Sequence, residues 1–321
     1  MLRALPEVRA VRRALAALAL CSGFAASAAE LAEPSATRAD FALRRAAMTS
    51  RLRIQSASLL PGQTLELAGV DRAGAPLPIA VEGASGLERI DASRVRFRAG
   101  TKPGLNTLRV RSDAAREEIV LQVFVEVPAS RMRGTSLDGY EIGRYPARDP
   151  NDPPPPGFIR VTEANRDTRV SAHFRLGDFL CKQKSGYPKY LVLDPRLPPK
   201  LEALLDAVHA TGRRAETLVI MSGYRTPSYH RAIGDRTDRS RHLWGAAADV
   251  YLDADGDGSM DDLDRNGIVD VRDAAFLFGL ADALDRAPTE DWTVGGASVY
   301  PATRAHGPFV HLDVRGRAAR W

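Results

Sequence analysis

Residues 240–249 read Ser-Arg-His-Leu-Trp-Gly-Ala-Ala-Ala-Asp, and far downstream Phe309-Val310-His311-Leu312-Asp313 alternates as a strand does. No other feature constrains the fold as tightly. The small residues Gly245, Ala246, Ala247 and Ala248 let the backbone turn sharply after His242 and then enter a closely packed strand. A strand through His311 can lie beside it. Two imidazoles and one carboxylate, from His242, His311 and Asp249, then meet. That donor set suits a tetrahedral zinc whose fourth position is left to water.

The wider pattern resembles the zinc D-Ala-D-Ala peptidases, the group that also holds the lysostaphin-like enzymes and the zinc fold of hedgehog signalling domains. Its signature Ser-x-His-x-x-Gly-x-Ala-x-Asp is met by Ser240, His242, Gly245, Ala247 and Asp249, with His311 as the later strand histidine. Ser171-Ala172-His173-Phe174, Phe179-Leu180-Cys181, Ser222-Gly223-Tyr224-Arg225, Gly307-Pro308-Phe309 and Arg320-Trp321 are similar to the periplasmic murein-peptidase branch. The likeness covers about residues 138–321 and leaves the first third of the chain aside.

The resemblance implies zinc on His242, Asp249 and His311, where it would acidify water and polarise a peptide carbonyl. It implies peptidoglycan stem peptides or cross-links as substrate, with carboxypeptidase or endopeptidase action and D,D or L,D bonds all left open. Arg225 would face the substrate, with Tyr224 beside it either flanking the cleft or packing. Many relatives carry an acid three residues before the last histidine, where this chain has Pro308. His306 is therefore the expected base or transition-state stabiliser, and Asp313 is expected to orient His311 through its second nitrogen. The missing acid also leaves a rival: a peptidoglycan-binding or scaffolding protein that keeps the metal site without turnover. His173 is open between a place near the site and a structural bond, and His209 and His230 read as solvent-facing or capping residues.

The chain begins as an exported protein does. Arg3, Arg9, Arg12 and Arg13 precede an apolar run from Ala14 to Leu20, and Ala26-Ser27-Ala28 offers a cleavage site. Residues 1–28 are expected to be a signal peptide, giving a periplasmic or secreted protein. Lipidation at Cys21 is disfavoured by the bulk of Leu20. Cleavage leaves Cys181 without a disulfide partner, in an apolar run where it acts as a small hydrophobe. A net charge of +5, spread over scattered arginines, and no interleaved basic and aromatic motif exclude a nucleic-acid partner. No transmembrane segment is expected. Nothing sets the oligomeric state, and a monomer is the default.

With 321 residues the chain suits two domains. Residues 29–48 read as a mobile leader or loose helix. Over residues 49–130 the period is two: Thr64-Leu65-Glu66-Leu67, Arg94-Val95-Arg96-Phe97 and Val123-Phe124-Val125 alternate between turns at Pro61-Gly62 and Pro103-Gly104. A small immunoglobulin-like β-sandwich is expected there, serving as a spacer or docking module. A Pro-rich linker over 131–157 follows, stiffened by Pro153 to Pro156. Residues 158–321 are expected to form the zinc peptidase domain, so the fold class reads α+β with an antiparallel central sheet of the hedgehog/D-Ala-D-Ala peptidase type.

An acidic insertion at 253–273 interrupts that domain. Asp253, Asp255, Asp257, Gly258, Asp261 and Asp264 fit one calcium-loop frame, and Asp262, Asp264, Asn266, Gly267, Asp270 and Asp273 fit a second. Alternating oxygen donors around a glycine turn suit Ca²⁺, although both frames end in Asp and overlap. Calcium is the expected second cofactor, stiffening the wall of the zinc site.

Overall fold

The computed structural model describes residues 37–146, 152–235 and 237–321. The expected signal peptide, the first part of the leader and residues 147–151 of the linker lie outside the described residues.

In the first half, chain order gives β1 (Arg38–Arg45), β2 (Met48–Leu52), β3 (Ile54–Leu59), β4 (Thr64–Val70), β5 (Ala80–Glu82), β6 (Leu87–Arg89), β7 (Arg94–Arg98), β8 (Gly104–Ser112) and β9 (Glu117–Val125). They form a five-stranded sheet, β2-β1-β4-β7-β6, and a four-stranded sheet, β3-β9-β8-β5. Among the described residues of this half only β3 and β9 run parallel; the other pairs are antiparallel. Inward side chains of both sheets, including Phe41, Leu67, Phe97, Leu108, Ile119 and Leu121, share one core. The second part of the expected leader is not loose. Residues from Arg38 to Arg45 are β1, because Phe41, Ala42 and Leu43 bury completely or nearly so.

The leader strand also ties the halves together. Arg38 bridges Asp206 at 2.5 Å and Asp291 at 3.0 Å, and the Ser50 hydroxyl donates to Asp291 at 2.6 Å. Arg51 pairs with Glu290 at 3.1 Å. Asp291 is buried, and these partners satisfy it there.

The second half gives β10 (Val127–Pro128), β11 (Ser136–Leu137), β12 (Tyr140–Glu141), β13 (Gly157–Val161), β14 (Lys189–Leu191), β15 (Leu218–Ser222), β16 (Ala247–Leu252), β17 (Gly296–Tyr300), β18 (Phe309–Asp313) and β19 (Ala319–Arg320). Its helices are α1 (Leu197–Ala210), α2 (Pro227–Ala232) and α3 (Val271–Arg286). The described part of the linker is not merely extended. Its Leu137, Tyr140 and Ile142 pack with Val127, Phe158 and Tyr190 into a small core of their own.

The expected α+β class is corrected. The described residues are mostly β, 34% strand against 17% helix, spread over several sheets, and the zinc-peptidase fold is not what they show. The central sheet, β15-β16-β18-β17-β19, also departs from strict antiparallel order, since β17 and β19 pair parallel. The physical reason is the small helical share. Helix α1 follows its Leu201, Leu204, Leu205 and Val208 stripe, and α3 buries Ala274, Leu277, Leu280 and Ala281. Much of the remaining chain runs as turns and short strands of two or three residues.

What matters for function is the middle of that sheet. In β18 all five residues are buried, and β16 has five of its six residues buried. The small side chains of Ala247 and Ala248 fit such a doubly covered position. Helix α3 packs on β17 and β18, fixing the sheet from behind.

Candidate metal centre

Antiparallel pairing of β16 with β18 sets Asp249 directly opposite His311. His242 arrives from the 3-10 turn Arg241–Trp244, which ends at Gly245. That glycine has φ +61°, and a Cβ there would stand 1.9 Å from the Val192 carbonyl oxygen. A larger residue would therefore displace the turn that delivers His242.

The three ligand-type atoms converge. Nε2 of His242 is 3.2 Å from Asp249 Oδ1 and 3.2 Å from Nδ1 of His311, and that Nδ1 is 2.9 Å from the same Oδ1. Tetrahedral zinc with nitrogen and oxygen ligands at 2.0–2.1 Å requires ligand separations of about 3.3 Å. The observed triangle is close to that edge length, so these residues fit the ion. The exposures of His242, Asp249 and His311 are 2%, 2% and 8%.

Each of the three side chains is held from outside. His242 Nδ1 donates to the Gly223 carbonyl at 2.7 Å, which leaves Nε2 as the inward lone pair. The second Asp249 oxygen accepts from Arg225 Nη2. Nε2 of His311 faces Asp313 at 3.6 Å. Asp313 is itself fixed by the Gly296 N–H at 2.7 Å and by Arg315 Nε at 2.8 and 3.0 Å.

Electrostatics follow from these contacts. Burial opposes ionisation of Asp249, but the two imidazoles outweigh it and hold the carboxyl well below the usual range. Burial also opposes ionisation of Asp313, and His311 and Arg315 overcome it in the same way. The imidazoles part company. Burial pushes His242 down, whereas Asp249 and Asp313 together outweigh burial and push His311 up.

Arg225 reaches the centre, but through Asp249; its Nε also donates to Ser222 Oγ at 2.8 Å, and Nη1 stands 3.6 Å from Asp235. Tyr224 is 1% exposed and its hydroxyl bonds Tyr145 at 2.8 Å, so it packs and does not flank a cleft. Burial pushes that hydroxyl well above its ordinary range. His306 is not brought to the triad: its Nδ1 lies 2.8 Å from the Gly307 carbonyl oxygen and its ring stands against Phe309. His173 bonds Glu202 of α1 at 2.7 Å, His209 bonds the Ala215 carbonyl at 2.8 Å, and His230 is buried with Nε2 3.0 Å from the Thr237 carbonyl. Cys181 is a buried free thiol.

In the acidic insertion two carboxylate groups converge: Asp253, Asp255 and Asp261, then Asp262, Asp264 and Asp273, with each trio's donor oxygens within 4.8 Å. The residue shared by the two frames, Asp264, sits with the second trio. Asp257 and Asp270 are not part of either, whereas Asn266 lies against the second trio, its N–H 3.1 Å from Asp262 and 3.2 Å from Asp264. Asp257 and Asn266 cap local turns at Ser259 and Ile268, and Asp270 caps α3 while pairing with Arg272. Asp273 is fully buried and accepts the N–H groups of Leu263, Asp264 and Asp270.

Several partners of the triad carried no signal of their own in the sequence. The Gly223 carbonyl is one; any residue has a carbonyl. Arg315 is another. Trp321 lies on His311 with ring centres 5.3 Å apart, and Arg315 lies 5.0 Å from the Trp321 ring centre. The Arg320-Trp321 ending belongs to the resemblance, and that was the available hint.

No family model matches the chain, and no curated protein matches it. Among solved structures it is similar to domains 4 and 5 of the S-layer protein SbsC, at 15% identity over 26% of this chain and 50% of that one, with a TM-score of 0.19. It is similar to the adhesin InvE of Yersinia pseudotuberculosis at 14% identity, over 29% of each chain, with a TM-score of 0.18. Domains 4–9 of SbsC give 9% identity over 85% of this chain and 27% of that one, with a TM-score of 0.19. The chain spans about half the length of the first of these structures. All three are surface-layer or adhesion proteins rather than zinc D-Ala-D-Ala peptidases. At such identities and TM-scores these likenesses bear on neither the site nor the activity.

Proposed function

We propose that this chain is an exported zinc metallopeptidase that hydrolyses peptide bonds in peptidoglycan stem peptides or cross-links. One observation carries the reading: three buried donors, His242 Nε2, Asp249 Oδ1 and His311 Nδ1, lie 2.9–3.2 Å apart, each braced from behind. Zinc held there would act as a Lewis acid toward a carbonyl and toward water. The chain's own residues do the rest. Gly223 and Asp313 set the ring orientations of His242 and His311, and Arg225 keeps one Asp249 oxygen occupied so that the other faces inward. The substrate class comes from the motif resemblance, and no helix among the described residues is long and apolar enough to cross a membrane.

A specific observation favours a second reading, a peptidoglycan-binding protein that holds the metal without turnover. Pro308 stands where relatives carry an acid, and His306 is engaged with Gly307 and Phe309. Incubating zinc-loaded protein with purified murein separates the two. Soluble peptide fragments, lost with chelator and restored by zinc, support hydrolysis; sedimentation with murein without fragments supports binding alone. Calcium on the two carboxylate trios belongs to the same proposal as a brace. Asp261 N–H bonds the Leu252 carbonyl at 2.9 Å, so the loop is fastened to the strand that carries Asp249.

A further inference from the structure

The triad is almost sealed on the sides of its bracing residues, and the surface beside it is aromatic. Trp321, in ring contact with His311, is 56% exposed. Gly223, His242, Asp249 and Asp313 are buried, and the Arg225 side chain is 15% exposed. Trp321 is thus an exposed ring in direct contact with a side chain of the triad.

An exposed tryptophan is ordinarily free to swing; this one is pinned. Its Nε1–H donates to the Tyr300 hydroxyl oxygen at 2.9 Å, and its main-chain oxygen accepts from Ser298, which stands opposite His311 on β17. Arg315, the residue that fixes Asp313, lies against the ring. Tyr300 in turn stacks on Phe309 with ring centres 4.8 Å apart and planes 9° from parallel. The result is a rigid aromatic shelf, continuous with the candidate metal centre. Having accepted from Trp321, the Tyr300 hydroxyl keeps its own proton to donate.

The shape of the shelf selects its occupant. A small aliphatic side chain gains most from a concave pocket that removes water on every side. A flat ring with a hydroxyl donor at its rim instead suits a partner that is apolar on its face and polar around its edge. A pyranose ring has that form: C–H groups on the face, hydroxyl and acylamino groups at the rim. Fixing the ring beforehand lowers the ordering that binding requires.

We propose that Trp321 and Tyr300 form a sugar subsite, so that the chain takes its peptide while it is still attached to the glycan. This rests on the peptidoglycan reading and narrows it. Because an extended chain advances about 3.3–3.6 Å per residue, a sugar held beside His311 selects a bond near the glycan end of the stem peptide.

The test uses zinc-loaded protein and two substrates, a disaccharide-linked stem peptide and the same peptide with its sugar removed. The glycopeptide should be favoured about tenfold in kcat/KM, through KM, as one aromatic stacking contact supplies. Trp321→Ala should bring that ratio to about one, while Trp321→Phe keeps part of it. Loss common to both substrates reports packing on His311 and leaves the ratio unchanged. A parental ratio near one, or a preference that survives Trp321→Ala, overturns the subsite. A second arm needs no turnover: millimolar peptide-free disaccharide should change the intrinsic fluorescence of the parent and not of Trp321→Phe. If neither substrate is cleaved and that response is present, hydrolysis fails and the subsite stands. If the response is absent, the subsite falls whatever the activity.

Discussion

Arg225 offers a sharp test of how the centre is held. The sequence pattern assigns it to substrate, yet its Nη2 donates to the outer oxygen of Asp249, a residue 2% exposed. Replacing it with methionine keeps the aliphatic stem and leaves that oxygen buried without a partner. Hydrogen bonds to a charged group contribute about 1.5–3 kcal/mol, and the Arg225 side chain is 15% exposed, so solvent offers little relief. Freed of its partner, the carboxylate can rotate between its two oxygens, and zinc loses its preset donor. A zinc affinity 10–100-fold weaker is the expected result. It is measured by competition against a chelator of known affinity, followed by elemental analysis. Arg225→Lys restores charge but not the paired reach to Ser222 and Asp249, and should fall between. If Arg225→Met binds zinc as the parent does while hydrolysis of muropeptides collapses, the contact to Asp249 is incidental and the arginine serves substrate.

Three further outcomes follow from other parts of the molecule. Gly245→Ala puts a methyl group 1.9 Å from the Val192 oxygen at a left-handed φ, which should cost about 3 kcal/mol or more and lower the melting temperature by roughly 6–12 °C. A variant that melts with the parent would show that the turn delivering His242 is soft. His173 is pushed up by its bond to Glu202, although burial opposes it; burial raises Glu202, but His173 and Ser171 outweigh it and carry it down. A raised imidazole gives its stability in full below its ordinary 6.5 and loses it as pH rises through the shifted value. A lowered carboxyl gives its share above its ordinary 4.5 and loses it as pH falls. His173→Gln should therefore be less stable by about 1.5–3 kcal/mol between those limits, with the gap closing on either side. A denaturation gap that is flat with pH refutes the pair. Calcium at about a hundred times its Kd should raise the melting temperature by roughly 5–10 °C, magnesium far less, and Asp255→Asn with Asp264→Asn should abolish the rise. Identical melting of parent and variant in calcium would reduce the insertion to an acidic loop.

The convergence of His242, Asp249 and His311 was legible because a glycine-ended turn, the strand after it and one later strand carry their residue types at a spacing that favours one arrangement. The class of fold was not. Strands such as β5, β6, β14 and β19 hold two or three residues, too few for a period to register, and they shift the balance toward sheet. The leader strand β1 hid for a related reason: Phe41, Ala42 and Leu43 are buried in succession, so its alternation is broken. His306 stands five residues before His311, but Gly307-Pro308 intervenes and the strand begins at Phe309, so that spacing carries no direction.

Asp249 shows where local reading stops. Its distance from His242 along the chain is a sequence fact, and its opposition to His311 follows once β16 and β18 pair. Which of its oxygens faces inward depends on Arg225, which follows β15 on the far side of β16. The orientation of His311 depends likewise on Asp313, and Asp313 on Gly296 and Arg315. Asp249 is thus supplied by one strand and aimed from beyond another, while His311 is aimed by Asp313 of its own strand, which Gly296 of β17 holds in turn. A centre built this way stays organised only while the whole five-stranded sheet is intact. A substitution that loosens β17 or β19 should therefore weaken the metal without touching a ligand.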